Sequence, residues 1–291
     1  MMRDYISLGG TLFIPAIHSN LKSILNEKKY KNLKSVAIDT EDSIKETDVK
    51  VALKYVKNVL EGFEKTELLV FIRPRNVEIL KEILNYENIE KIDGFILPKF
   101  SLLNAREYLK VLEETKFSIM PSIETEELFE STKLLELREI LLCHSEKIIL
   151  IRFGLEDMLR QLKMRRKCGD SIFDFSVTSS VLGNFLAIFK SAGFEVSGGV
   201  YPCFKDKEGF KKDVIKDLRE GLFSKTIIHP SQVEIINELY KVSKEEYEEA
   251  KLIISLKTGV GSSDGKMLES ETMTPYAKYI LNRADKYGIK K

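Results

Sequence analysis

The sequence predicts an α/β chain folded as a (β/α)8 barrel, and three observations carry that expectation. Short β-rich runs occur eight times, and helical stretches lie between them. The runs are apolar throughout instead of alternating, as parallel strands covered on both faces must be. The length of 291 residues accommodates such a barrel, for which roughly 250 is typical, with an appendage to spare. A doubly wound open sheet shares the alternation but wants a Gly-rich phosphate turn after its first strand. Here IHSN follows the first run, and no GxGxxG occurs.

Taken in order, the expected strands are TLFIPA (11–16), SVAIDT (35–40), LLVFIRP (68–74), GFILPK (94–99), FSIMPSIE (117–124), KIILIRF (147–153), a weak FEVSGGV (194–200) and KTIIHP (225–230). Pro98 and Pro230 read as stops at strand ends. Helices are expected over 49–63, 77–86, 103–115 and 126–142, the last with Leu128, Leu134, Leu135, Leu137, Leu141 and Leu142 repeating at helical spacing. The long gap between Phe153 and Phe194 holds helices over 158–163 and 177–191, separated by the loop KMRRKCGDS. The barrel is thus expected over 1–242 and a C-terminal helical lid or oligomerisation segment over 243–291. That segment has helices over 245–256 and 275–287, the second opened by Pro275. The Gly-, Ser- and Thr-rich stretch 258–274 between them reads as a flexible loop.

Composition closes other classes. Apolar residues at 43% exclude disorder, and a formal charge of +1 exerts no pull on nucleic acid or an anionic membrane. No apolar run approaches the roughly 18 residues of a membrane span. Gly9, Gly10 and Pro15 interrupt the first residues, which read as a first strand and not a signal peptide. Cys143, Cys168 and Cys203 are odd in number and widely spaced, so neither a disulfide framework nor a metal knuckle is expected. These features together read as a soluble, cytoplasmic chain.

Barrel enzymes carry their chemistry at the C-terminal ends of the strands. There the sequence places Asp39, Glu41 and Asp42 (second strand), Arg73 (third), Lys99 (fourth), Glu124 (fifth), Arg152 and Asp157 (sixth) and His229 (eighth). Glu124 and Asp157 follow consecutive strands, about 4.8 Å apart in a parallel sheet, so the two carboxylates can converge on one cation. With no His or Cys nearby, a hard oxygen-loving ion is favoured, and Mg²⁺ fits best. Asp157 could equally cap the following helix. Arg73 offers a planar, permanently charged fork for a substrate carboxylate, and Lys99 a less specific charge. His18, His144, His229 and the basic run 163–167 carry no comparable pattern.

The ordered series DTED (39–42), FIRPRN (71–76), ILPK (96–99), SIET (122–125), FGLED (153–157) and GLFSKTIIHPSQ (221–232) resembles the citrate lyase beta-chain-like family, which includes malyl-CoA lyases and related aldolases. The resemblance runs from about Leu12 to Ala277. It implies a TIM barrel, Mg²⁺ on Glu124 and Asp157, and a substrate-carboxylate arginine at Arg73. It also implies a homo-oligomer, trimer or hexamer, whose C-terminal segment lids a neighbour's site. Three positions depart from the family. The first turn, Pro15 to Asn20, lacks the PGN/PGS-type pattern and its basic residue, which speaks against CoA. The lid motif reads Gly265-Lys266-Met267-Leu268-Glu269 after Asp264, with a glutamate where the family has its catalytic aspartate. Arg152 stands where an apolar residue is usual.

The expected activity is Mg²⁺-dependent carbon–carbon cleavage or aldol chemistry on a small oxo- or hydroxy-carboxylic acid or its thioester. The catalytic set is Arg73, Glu269 and Asp42, with Arg73, Lys99 and Glu41 binding substrate. The alternatives are CoA-thioester hydrolysis on the same site and a non-catalytic barrel serving as subunit or scaffold.

Overall fold

The computed structural model describes residues 4–26, 29–256, 259–263 and 265–290. The chain divides into two compact units, Met1–Val233 and Glu234–Lys291.

The first unit alternates strands and helices: β1 (Thr11–Pro15), α1 (Leu21–Asn26), β2 (Ser35–Asp39), α2 (Val49–Glu61), β3 (Leu69–Arg73), α3 (Val77–Ile83), β4 (Gly94–Leu97), α4 (Ala105–Leu112), β5 (Ser118–Ile123), α5 (Ser131–Leu142), β6 (Ile151–Phe153), α6 (Leu155–Gln161), α7 (Ser176–Lys190), β7 (Val196–Ser197), α8 (Lys207–Arg219) and β8 (Thr226–Ile227). All eight strands are parallel and ordered β7-β6-β5-β4-β3-β2-β1-β8. Two backbone bonds, Phe223 N–H to the Val196 carbonyl (3.1 Å) and Thr226 N–H to the Gly198 carbonyl (3.1 Å), join the β7 and β8 segments and complete the ring. The expected TIM barrel is the fold.

Its interior follows from the apolar runs. Ala37, Phe71, Ile96 and Met120 form one buried cluster with Leu8, which comes from the 3-10 turn Tyr5–Leu8. Outside, amphipathic helices cover the strands: α2 turns Ala52, Leu53, Val56, Val59 and Leu60 to the core. Each of these Val and Leu side chains contributes about 1.5–3 kcal/mol on burial.

Three expectations for this unit need correction. The sixth strand begins at Ile151, because Ser145–Lys147 forms a 3-10 turn and Ile148 makes only an isolated bridge to Ile119. Helix α6 starts at Leu155, directly after Gly154. Cys168 and Cys203 are disulfide-bonded, and only Cys143 is free. Although 35 positions apart in sequence, they lie in the segments after β6 and β7, adjacent parallel strands. That adjacency brings distant cysteines together, and the pairing removes the cysteine argument for a reducing compartment. No helix among the described residues is long and apolar enough to cross a membrane.

The second unit follows α9 (Val233–Leu239) with α10 (Lys244–Ser255), strands β9 (Val260–Ser263) and β10 (Lys266–Glu269), and α11 (Ser270–Tyr287). Ser243 and Glu246 form a capping box that fixes the start of α10. Leu268, Ala277 and Ile280 pack with Val242, Ala250 and Ile253 as a core of its own. Within the stretch read as a flexible loop, β9 and β10 pair as an antiparallel hairpin, Met267 opposite Ser262 and Glu269 opposite Val260, and Ser270–Thr274 already belong to α11. Asp-Gly is a strong hairpin-turn pair, and Gly265 takes the positive φ of 75° that such a turn requires. Asp264 lies outside the described residues. Pro275 sits inside α11 instead of opening it, because the helix already starts where β10 ends.

Candidate active site

The C-terminal strand ends surround a cavity of ≈ 490 Å³ whose wall includes Asp42, Arg73, Glu124, Arg152 and Asp157. Glu124 follows β5 directly and is only 4% exposed. Its Oε1 accepts the Lys99 backbone N–H at 2.7 Å and its Oε2 the Ser122 hydroxyl at 2.7 Å. Lys99 can aim that N–H because it adopts φ 46°, in the left-handed region. A non-glycine residue there costs on the order of 1–2 kcal/mol. Burial raises the Glu124 carboxyl above the usual range; Ser122, the Lys99 N–H and Arg73 oppose the rise, and Asp157 adds to it.

Asp157 occupies the first turn of α6, where a negative charge meets the positive end of the helix. Gly154 makes its approach to Glu124 possible. A Cβ at that position would stand 1.9 Å from the Glu124 Cβ, so only glycine lets the start of α6 close on the end of β5. Gln161, one turn beyond Asp157, donates to the Glu124 carbonyl at 2.9 Å and ties the two elements together. Arg160 holds Asp157 Oδ1 at 2.7 Å, but its side chain is 69% exposed, so that ion pair contributes little. Among the described residues no group of three or more His, Cys, Asp or Glu is placed to hold a metal; the candidate pair stays Glu124 and Asp157, in a wall that also carries Asp39, Asp42 and Glu156.

Arg73 ends β3 in register with Asp39 at the end of β2. Its Nε and Nη2 donate to the two Asp39 oxygens at 2.7 and 2.8 Å. Nη1 lies 3.2 Å from Glu41 and 3.4 Å from Asp42. The fork expected for a substrate carboxylate is thus engaged by Asp39, and Nη1 is the nitrogen outside that two-pronged pairing. Burial works against the Arg73 charge, but the hydrogen bonds and charge of Asp39 outweigh it and raise its pKa. Lys99 Nζ pairs with Glu41 and Asp42. The buried Glu41 carboxylate also accepts the Asp42 N–H. Neither Lys99 nor Glu41 is in the cavity wall; both shape it through Asp42 and Arg73. Asp42 itself is half-exposed. Partial burial raises its pKa, Arg73 opposes this, and Asp157 and Asp39 add to it.

Glu269, the last residue of β10, accepts the Thr272 hydroxyl at 2.9 Å within the second unit. Asp39, Ser122, Gly154 and Gln161 are parts of the site to which the sequence reading gives no role. Ser122 and Gly154 stand inside the SIET and FGLED motifs, and Gln161 lies four residues from Asp157 on one helix face, so each had a legible signal.

A parallel barrel with a buried glutamate and a first-turn aspartate on its catalytic rim matches one family along its whole length. Residues 2–289 fit the family described as C-C bond lyases of the TIM-barrel fold, and the chain belongs to it. The citrate lyase subunit beta of Haemophilus influenzae is 26% identical over 292 residues, covering 96% of this chain and 97% of that protein. A (3S)-malyl-CoA thioesterase of Cereibacter sphaeroides is 31% identical over 124 residues, 40% of this chain and 42% of that enzyme. Among solved structures, CitE from Mycobacterium tuberculosis, in complex with magnesium, acetoacetate and coenzyme A, superposes with a TM-score of 0.71 at 19% identity, covering 97% of this chain and 99% of that one.

Proposed function

We propose that the chain is a Mg²⁺-dependent carbon–carbon lyase or aldolase acting on a small oxo- or hydroxy-carboxylic acid or its thioester. The observation that carries this is that Glu124 and Asp157, near enough for the charge of Asp157 to act on the Glu124 carboxyl, share one cavity wall with no His or Cys in it. That donor set fits Mg²⁺, which takes one or two carboxylates and keeps the rest of its shell for water and substrate. A bound Mg²⁺ supplies positive charge where negative charge develops on substrate oxygens. The chain's own residues do the rest. Ser122 and the Lys99 N–H hold Glu124 in its rotamer. Asp39 fixes the Arg73 guanidinium, and a substrate carboxylate would meet Nη1 in exchange for its contacts with Glu41 and Asp42. Glu269, carried by the hairpin of a neighbouring subunit in a trimer or hexamer, serves as acid/base, with Asp42 at the rim beside Arg73. A cytoplasmic address is part of the same reading.

Thioester hydrolysis on the same carboxylates is the second reading, favoured by the likeness to a malyl-CoA thioesterase. The two share the metal and diverge in product.

Calorimetry with Mg²⁺ on the wild type, Glu124→Gln and Asp157→Asn tests the reading. A site with two protein ligands has none to spare, so each variant is expected to lose roughly tenfold or more in affinity. Unchanged affinity in both would sink it and leave a non-catalytic barrel as the better account.

A further inference from the structure

Lys99 keeps an unfavourable backbone conformation while its N–H reaches Glu124, and the turn that follows it supplies the restraint. The Lys99 carbonyl accepts a hydrogen bond from Asn104 Nδ2 at 2.9 Å, and Asn104 Oδ1 accepts the Ser101 N–H at 3.0 Å. The Phe100 N–H donates to the Ser122 carbonyl on β5 at 2.9 Å. The peptide joining Lys99 to Phe100 is thus pinned at both ends, its carbonyl by Asn104 and its N–H by β5. With that plane fixed, the positive φ of Lys99 turns its own N–H onto Glu124 Oε1.

Asn104 forgoes its ordinary task to do this. It is the N-cap of α4, where asparagine, aspartate and serine serve about equally well because a side-chain oxygen accepts an N–H of the first turn. Its side chain makes no such bond. It reaches back into the turn instead, using donor and acceptor together on two backbone groups two residues apart. An amide presents a donor and an acceptor on separate atoms. An ionised carboxylate has no donor, and a serine hydroxyl would have to serve both groups from one atom. A second tie, Glu127 Oε1 accepting the Leu102 N–H at 3.1 Å, anchors the far side of the same turn. Loss of the Asn104 clamp therefore loosens Lys99 without releasing the whole segment.

We propose that Asn104 is a positioning residue for the cation site: it holds the left-handed turn at Lys99 and, through the Lys99 N–H, the Glu124 carboxylate in the orientation that receives Mg²⁺. This rests on the Mg²⁺-dependent reading above. Asn104 is not in the cavity wall and acts at one remove. Because the contact to Glu124 comes from the Lys99 main chain, trimming the Lys99 side chain leaves the donor in place, whereas changing Asn104 removes what aims it.

The test is Asn104→Ser, which keeps a good cap for α4 and gives up the two-point clamp. It is read by calorimetry with Mg²⁺ and by amide hydrogen exchange of the cation-free protein. Mg²⁺ affinity should fall about three- to tenfold, the value of one neutral hydrogen bond. Exchange at Lys99 and Phe100 should quicken, with Tm within about 2 °C of the wild type. Asn104→Asp keeps the Ser101 bond and the cap but turns a carboxylate towards the Lys99 carbonyl, so the same two amides should exchange faster; it serves if the serine variant does not fold. Unchanged Mg²⁺ affinity in Asn104→Ser, or exchange at Lys99 as slow as in the wild type in whichever variant folds, would overturn the assignment and leave Asn104 a part of the α4 terminus alone. Failure of the underlying reading looks different: Mg²⁺ affinity would then be indifferent to Glu124→Gln, while exchange at Lys99 still answered to Asn104.

Discussion

At the scale of single residues, Glu124 shows how the site stores its affinity. Burial and the charge of Asp157 hold its carboxyl above the usual glutamate range, despite the hydrogen bonds from Ser122 and Lys99 and the charge of Arg73. In the cation-free protein the folded state keeps a proton that the unfolded chain would release. The stability from that group is complete below the ordinary glutamate pKa and is lost as pH rises through the raised one. Mg²⁺ competes with the same proton and relieves the same desolvated charge. Saturating Mg²⁺ should therefore raise Tm more at about pH 8 than at about pH 5.5, as scanning calorimetry at the two values would read. An equal increment at both would place the cation away from Glu124. The places of Glu124 and Asp157 at the strand ends were legible in the sequence, because one directly follows the fifth apolar run and the other comes shortly after the sixth, in the first turn of α6. The partners were less so: that Asp39 takes the Arg73 fork depends on the register between β2 and β3, which no local pattern encodes.

At the scale of elements, the barrel is held unevenly. β1, β2 and β3 pair over five positions each, whereas β7 and β8 have two residues apiece and meet through two backbone bonds. A buried ionic cluster reinforces that short join. Lys225, just before β8, is 1% exposed and pairs with Asp213 (2.7 Å) and Asp217 (2.6 Å) of α8, and Arg166 pairs with Asp213 at 3.1 Å. Gly198, just after β7, leaves the room Asp217 occupies, since a Cβ there would stand 2.2 Å from its Oδ2. Removing one member leaves buried charge uncompensated. Lys225→Met should cost about 3–5 kcal/mol in urea unfolding; a loss under about 1 kcal/mol would show that the carboxylates simply take up protons. The sequence revealed strands one to five nearly residue for residue, because their apolar runs are continuous. It overextended the last three, where Gly198, Gly199 and the ionic cluster replace ladder and apolar contacts with packing between distant segments. It also read 258–274 by composition, and so passed over the pairing of β9 with β10.

At the scale of the whole molecule, the two units divide the proposed labour: the barrel carries Glu124, Asp157 and Arg73, and the second unit carries Glu269. If the hairpin serves a neighbour, inactive Glu269→Gln protein mixed with inactive Glu124→Gln protein should regain activity, since mixed oligomers contain some intact pairings of site and hairpin. Mass spectrometry verifies that subunits exchange. Exchange without recovered activity would confine Glu269 to its own chain or remove it from the chemistry.

The Cys168–Cys203 bond closes a covalent loop around α7 and β7. With its ends 35 positions apart in sequence, the chain-entropy account assigns it about 4 kcal/mol through the restriction it places on the denatured ensemble. A cut anywhere inside that loop leaves a single covalently linked molecule. The same polypeptide thus has two thermodynamic settings, and the thiol poise of its surroundings chooses between them: in a reducing medium the denatured chain regains its freedom, and the barrel must stand on packing, ladder and buried charge alone.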